Sequence, residues 1–154
     1  MTDSCELTIE RFIAVPPAVV WDAWRDPAKL ALWWIPAPIE CQVVKLDLRP
    51  GGGFETLMRE GGGDWQPHVE GAFLEAIPNQ RLTFTTVLRE GWQPIEPWLA
   101  ITAILTFEAR EGGTLYKSRV LHRTPEDSAK HDAMGFQEGW GAALGQLAAL
   151  LEKP

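Results

Sequence analysis

The last helix of this chain is predicted from residues 124–151, TPEDSAKHDAMGFQEGWGAALGQLAALL. Thr124 is a favourable N-cap, Pro125 suits the first helical position, and acidic residues follow in the first turn. Apolar residues then recur three or four positions apart, at Ala129, Ala133, Phe136, Trp140, Leu144, Leu147 and Leu151. This spacing predicts one long amphipathic helix, whose apolar face must pack against another layer of structure.

That layer is predicted to be a sheet formed between residues 40 and 122. Six segments with strand character follow one another there, separated by turn sequences rich in Gly or containing Pro-Asn: 41–49, 54–60, 68–77, 81–90, 99–109 and 114–122. Such short spacers favour antiparallel hairpins, because parallel pairing needs long crossovers. Together with a first strand over residues 6–15, these segments predict a seven-stranded antiparallel sheet.

Two short helices are predicted after the first strand. Pro16 and Pro17 end that strand, tryptophans follow at helical spacing, and Asp26-Pro27 ends one helix and begins another that stops before Pro36. The element order predicts an α+β fold, a single domain over residues 1–154, with a curved sheet around the C-terminal helix. A curved sheet leaves a space beside such a helix, and that space is the expected ligand site.

Charge and cysteine content narrow the class of protein. The 154 residues carry a formal net charge of −7, which disfavours nucleic acid or an anionic membrane as a partner. The two cysteines, Cys5 and Cys41, fit a reducing compartment. The first ten residues lack the pattern of a signal peptide, and no apolar run reaches the ~18 residues of a membrane span. We therefore expect a cytoplasmic protein without membrane insertion.

Catalytic and metal-binding motifs are absent from the sequence pattern. The three histidines lie in different predicted elements, so we expect no metal site. Because no cofactor-binding or catalytic motif is present either, we expect no cofactor and no assignable catalytic residue. His68 and Glu70 are two residues apart on one strand and share a face. On the concave face they would be a polar pair with perturbed pKa values, whereas on the outer face they would be solvated.

Aromatic residues are the stronger signal, since the chain has eight tryptophans. Trp21, Trp24 and Trp33 are predicted to form core, while Trp65 and Trp92 lie in hairpin loops where they could rim a pocket mouth. The predicted lining of an apolar or aromatic ligand is Trp34, Met58, His68, Glu70, Phe73, Phe84, Trp98, Phe136 and Trp140.

Four glycines inside the predicted last helix conflict with helix propensity. Gly135 and Gly139 flank the Phe136/Trp140 stripe, where they permit close approach of the sheet or leave room for a ligand. Gly141 and Gly145 lie on the opposite face, which predicts a helix-on-helix contact in a homodimer.

The motifs of this chain resemble a known superfamily. They are D-P-x-K-L-x-x-W-W-x-P (26–36), D-L-R-P-G-G-x-F (47–54), G-x-F-L-E-x-x-P-N-x-R-L-x-F-T (71–85), G-G-T (112–114) and G-W-x-x-x-L-x-x-L (139–147). This set resembles the START-like (SRPBCC) superfamily, and within it the branch of homologues of the activator of the Hsp90 ATPase. The resemblance covers about residues 6–152. It implies the helix-grip fold and a cavity that in related families holds lipids, hormones or polyketide-like molecules.

Three functions follow as hypotheses. The first is a binding domain for a small apolar or aromatic molecule. The second is an enzyme of cyclase, aromatase or hydrolase type that uses the same pocket. The third is a stress-related co-chaperone with a chaperone partner, although the eukaryotic co-chaperone that the family name refers to has an additional domain for which this chain has no room.

Overall fold

Nine strands and four helices form among residues 4–153, which the computed structural model describes. Residues 1–3 and 154 lie outside the described residues. The predicted domain over 1–154 and the N-terminus that is expected to lack a signal peptide both include such residues. The elements in chain order are β1 (Glu6–Ile13), α1 (Pro17–Arg25), α2 (Pro27–Trp33), β2 (Glu40–Leu46), β3 (Gly53–Arg59), β4 (Gln66–Ile77), β5 (Arg81–Thr85), β6 (Leu88–Arg89), β7 (Gln93–Pro94), β8 (Ile101–Arg110), β9 (Gly113–His122), α3 (Pro125–Ala133) and α4 (Phe136–Leu151).

Seven strands form one antiparallel sheet in the order β1-β9-β8-β5-β4-β3-β2. The prediction of an α+β helix-grip fold is therefore confirmed, with two short early helices and a C-terminal helix. The strand predicted over 81–90 is wrong in length, because β5 ends at Thr85 and β6 pairs with β7 in a separate hairpin. Thr86 accounts for this ending: its hydroxyl donates to Leu99 O at 2.7 Å and accepts from Ile101 N at 2.9 Å.

The core lies between this sheet and the helices. Register shifts, where bulges bend strands, occur in β2 between Val43 and Lys45 and in the β3–β4 and β4–β5 pairings. Helix α1 packs on β8 and β9, and α2 packs on β2 and α4. The predicted core tryptophans are buried, as expected: Trp21, Trp24 and Trp33.

The Pro-Gly-Gly turn before β3 is shaped by a close backbone approach. A Cβ atom added to Gly52 would lie 2.1 Å from Asp47 O, a distance that no side chain can occupy. Gly51 N donates to Phe73 O at 2.8 Å, and Phe73 N donates to Gly52 O at 2.9 Å. The turn therefore pairs with β4 as an extension of the sheet, which explains the glycines of this motif.

The last helix is in two pieces, so the prediction of one continuous helix from residue 124 is wrong. Helix α3 ends at Ala133 and α4 begins at Phe136, with Gly135 between them at φ +101°. Glycine adopts this left-handed backbone without the steric cost that a side chain imposes, so the apolar spacing continues across the break while the hydrogen bonding stops. The predicted N-cap of the first piece is confirmed, because the Thr124 hydroxyl accepts from Asp127 N at 3.1 Å.

Of the two glycines on the predicted dimer face of the last helix, one lies against β1 and the other has open space around it. A Cβ atom on Gly141 would lie 3.6 Å from Ile9 Cδ1 of β1, whereas one on Gly145 would meet no atom within 4 Å. The homodimer contact stays a prediction. Among residues 4–153, none of the helices is long and apolar enough to cross a membrane.

Candidate functional site

A cavity of about 490 Å³ opens between the sheet and the C-terminal helices. Its walls come from the end of α2, the start of β4, strands β5 and β8, the loop before β8, and both pieces of the broken last helix. Seven predicted ligand-binding residues line it: Trp34, His68, Glu70, Phe84, Trp98, Phe136 and Trp140. The apolar character of these walls and the size of the space match a small-molecule pocket.

Two predicted residues are placed elsewhere. Phe73 is fully buried in the core, where its ring stacks on Phe54 with centroids 5.1 Å apart. Met58 lies near the end of β3, opposite Cys41 and Gln66, and packs against the core from outside. Neither residue is part of the cavity wall, so the structure does not bring them to the site.

Trp34 is the inner aromatic wall of the cavity. Its ring lies 6.0 Å from that of Trp140 and 6.2 Å from that of His68, so it joins the helix side of the cavity to the sheet side. Only 8% of the residue is exposed. Its indole N–H is buried without a hydrogen-bond partner in the described part of the chain. Buried polar groups are usually paired, so this indole N–H is an exception that costs stability.

Gln146 of α4 holds the segment that carries Trp34. Its amide nitrogen donates to Trp33 O and Ile35 O, both at 3.0 Å, and its amide oxygen accepts from Ala37 N at 2.7 Å. Three backbone groups at the end of α2 and just after it are thereby satisfied by one side chain. The sequence motifs gave no indication of this role, because a single polar residue on a helix resembles a solvated one.

We expect the Gln146→Leu variant to lose about 2 kcal/mol of unfolding free energy, since two partly buried carbonyl groups lose their donors. Urea denaturation followed by tryptophan fluorescence would measure it. The matched control is Gln137→Leu on the same helix, which removes one exposed hydrogen bond to Thr8 O. That variant should change the free energy by less than about 0.5 kcal/mol, and equal losses in the two variants would contradict the anchoring role.

His68 lies on β4 at the register shift opposite Thr56 and Leu57. Its Nδ1 is 3.0 Å from the Thr56 hydroxyl, and its backbone oxygen accepts from the Trp98 indole at 3.3 Å. Burial lowers the pKa of His68 to about 4, so the imidazole is neutral near pH 7. The ring can therefore donate or accept a hydrogen bond at the cavity wall, but it carries no charge there.

Glu70 also lines the cavity, but strand alternation does not place it beside His68, because the register shift at His68 interrupts the alternation and Glu70 pairs with Glu55, between the buried Phe54 and Thr56. The Glu70 carboxylate is about half exposed and lies 3.8 Å from Arg89 Nη1. Each of the two alternatives from the sequence therefore holds for one residue. His68 has the perturbed pKa expected of a pocket residue, and Glu70 is a solvated residue at the mouth. Glu96 lines the same mouth, and none of the described lining residues is Lys or Arg.

The mouth is rimmed by exposed apolar side chains. Trp98 is 67% exposed, and Met134, at the break between α3 and α4, is 60% exposed. Trp65 and Trp92, the other loop tryptophans predicted at a rim, are not among the lining residues. Trp65 carries the Arg59 guanidinium 4.4 Å above its ring, and Trp92 covers the Gly51 turn.

A pair of histidines at the cavity was missed by the sequence analysis. His122 Nε2 at the end of β9 lies 2.8 Å from His131 Nδ1 on α3, and His131 lines the cavity. No sequence signal links the two residues, because His122 ends a strand and His131 lies on a helix, and only the packing of α3 against β9 brings them together. Within residues 4–153, no group of three or more His, Cys, Asp or Glu side chains could hold a metal ion.

Comparisons with known proteins identify the family. The family model described as "Activator of Hsp90 ATPase homolog 1-like protein" matches residues 14–152. Protein NE0264 from Nitrosomonas europaea is 35% identical, with 96% of this chain and 94% of that chain covered and a TM-score of 0.89. Protein Ms6760 from Mycobacterium smegmatis is 26% identical, with coverages of 98% and 93% and a TM-score of 0.82.

A more distant structure, the AHSA1-like protein from Aeromonas hydrophila, is 22% identical over 96% of this chain and 92% of that chain, with a TM-score of 0.72. At this identity the likeness shows the fold alone. A search of curated proteins returned no match. The fold is in general that of a ligand-binding domain, and the chain belongs to the activator of Hsp90 ATPase homolog 1-like family, within the START-like superfamily.

Proposed function

We propose that this protein binds a neutral, apolar or aromatic small molecule in the cavity between the sheet and the C-terminal helices. The observation that carries the proposal is a cavity of about 490 Å³ walled mainly by aromatic and aliphatic side chains. A space of this kind favours apolar ligands because burial removes their surface from water.

Charge at the cavity narrows the ligand class. Glu70 and Glu96 lie among its walls, and no described lining residue carries a positive charge. An anionic ligand would therefore leave water for a site without a counter-ion, which is unfavourable. The proposal is accordingly for a neutral ligand, and not for a fatty-acid anion.

Gly139 offers a direct test, because it lines the cavity and a Cβ atom there would meet no atom within 4 Å. A leucine at this position would extend into the space without a clash at its first atom. We expect Gly139→Leu to weaken binding of the neutral fluorescent probe N-phenyl-1-naphthylamine by about tenfold to thirtyfold, which is about 1.4–2 kcal/mol. Fluorescence titration would measure the dissociation constant.

Gly145→Leu is the matched control, since Gly145 has equally open surroundings on the same helix but does not line the cavity. Both variants gain helix propensity, so a general change in α4 would affect them alike. Absence of probe binding by the wild-type protein, or equal weakening in both variants, would overturn the proposal. The enzyme and co-chaperone hypotheses stay predictions.

A further inference from the structure

His122 and His131 form a hydrogen-bonded chain that ends at the cavity. His122 Nδ1 lies 2.8 Å from Cys5 O, and His122 Nε2 lies 2.8 Å from His131 Nδ1. A backbone carbonyl only accepts, so His122 Nδ1 carries the hydrogen of the first bond. In an imidazole whose one hydrogen is on Nδ1, Nε2 has only a lone pair, so in this arrangement His131 Nδ1–H donates to His122 Nε2. This order leaves the lone pair of His131 on Nε2.

The free nitrogen belongs to a fixed ring. His131 is 6% exposed, and Phe136 packs against it edge to face with centroids 5.1 Å apart. Nε2 has no hydrogen-bond partner among the described residues, although the ring lines the cavity. Burial, together with the neighbouring His122, lowers the pKa of His131 to about 4, while Asp132 acts in the opposite direction. A neutral, oriented acceptor therefore borders the largely apolar cavity.

We propose that His131 Nε2 is the polar anchor of the cavity, and that the ligand is a neutral, largely apolar alcohol or phenol whose hydroxyl donates to it. This inference rests on the proposed binding function and adds a chemical class to it. A hydrophobic pocket gains specificity from a small number of placed polar groups, because a ligand without the matching donor leaves the acceptor unpaired. The acidic residues at the mouth favour a hydroxyl over an ionised carboxylic acid.

The pair 2-naphthol and 2-methylnaphthalene tests the anchor, since the two molecules have similar shapes and differ in the hydroxyl donor. Isothermal titration calorimetry of the wild-type protein should show about tenfold tighter binding of 2-naphthol, as expected for one hydrogen bond to a buried acceptor. In His131→Phe this preference should disappear, while 2-methylnaphthalene binds as it does to the wild type.

The possible results separate the two proposals. Failure of both molecules to bind the wild-type protein would contradict the binding function itself. Equal binding of both, or a preference that persists in His131→Phe, would overturn the hydroxyl anchor and leave the binding function standing. If the His131→Phe variant does not fold, nitrogen NMR of wild-type protein with isotope-labelled histidines tests the hydroxyl anchor instead. The His131 Nε2 resonance should shift with 2-naphthol and not with 2-methylnaphthalene, and absence of that difference would refute the anchor.

Discussion

The Trp24→Ala variant should lose about 4 kcal/mol of unfolding free energy. Trp24 is fully buried, and its indole N–H donates to the Tyr116 hydroxyl at 2.9 Å. Its ring packs at centroid distances of 5.0–6.4 Å against four others, those of Trp33, Trp34, Phe54 and Phe84. Truncation would leave a cavity at the junction of α1, α2 and the sheet.

Two further variants divide this loss into its parts. Trp24→Phe retains a ring but removes the hydrogen bond, and should cost about 1–2 kcal/mol. Trp98→Ala removes an exposed indole at the cavity mouth and should cost less than about 1 kcal/mol. Chemical denaturation of all three, followed by circular dichroism, would provide the comparison. Similar losses for Trp24→Ala and Trp98→Ala would show that burial of Trp24 does not dominate the core.

The repeating parts of the fold were predictable from the sequence because each rests on local chemistry. Pro17 and Asp26-Pro27 mark helix starts, and the Pro-Gly-Gly turn before β3 marks a strand start. Short spacers between strands permit little except antiparallel hairpins. These signals predict antiparallel pairing of strands that follow one another in the chain, which the structure confirms, whereas the pairing of β1 with β9 is a long-range contact that no local signal indicates.

The site was only partly predictable, because its form depends on contacts between distant segments. Phe73 and Phe84 are paired neighbours on β4 and β5, yet only Phe84 lines the cavity. Alternation alone cannot separate them when a bulge shifts the register next to Phe73. In the same way, the positive φ of Gly135 interrupts a helix whose apolar spacing continues unbroken. That break separates α3, which carries His131, from α4, and helical periodicity does not reveal it.

Lowering the pH from 7 to 5 should remove about 3 kcal/mol of unfolding free energy. The folded-state pKa values of His68 and His131 are about 4, against an ordinary value of 6.5. Between these values the unfolded chain binds protons that the folded chain does not. The unfolding free energy therefore has its full value above pH 6.5 and decreases as the pH is lowered. The expected share is about 2 kcal/mol for the buried His131 and about 1 kcal/mol for the less buried His68.

Urea denaturation at pH 7, 6 and 5 measures this dependence, and the double variant His68→Gln, His131→Phe is its control. The pKa values of Glu6 and Asp22 are held below their ordinary 4.5 and 3.8 by Arg119 and Lys29 respectively. Because their contribution is lost only at lower pH, the interval from 7 to 5 isolates the histidines. The double variant should therefore be less stable at pH 7 but nearly insensitive to pH across this interval. A parallel decline of variant and wild type would show that neither imidazole is held neutral by the fold.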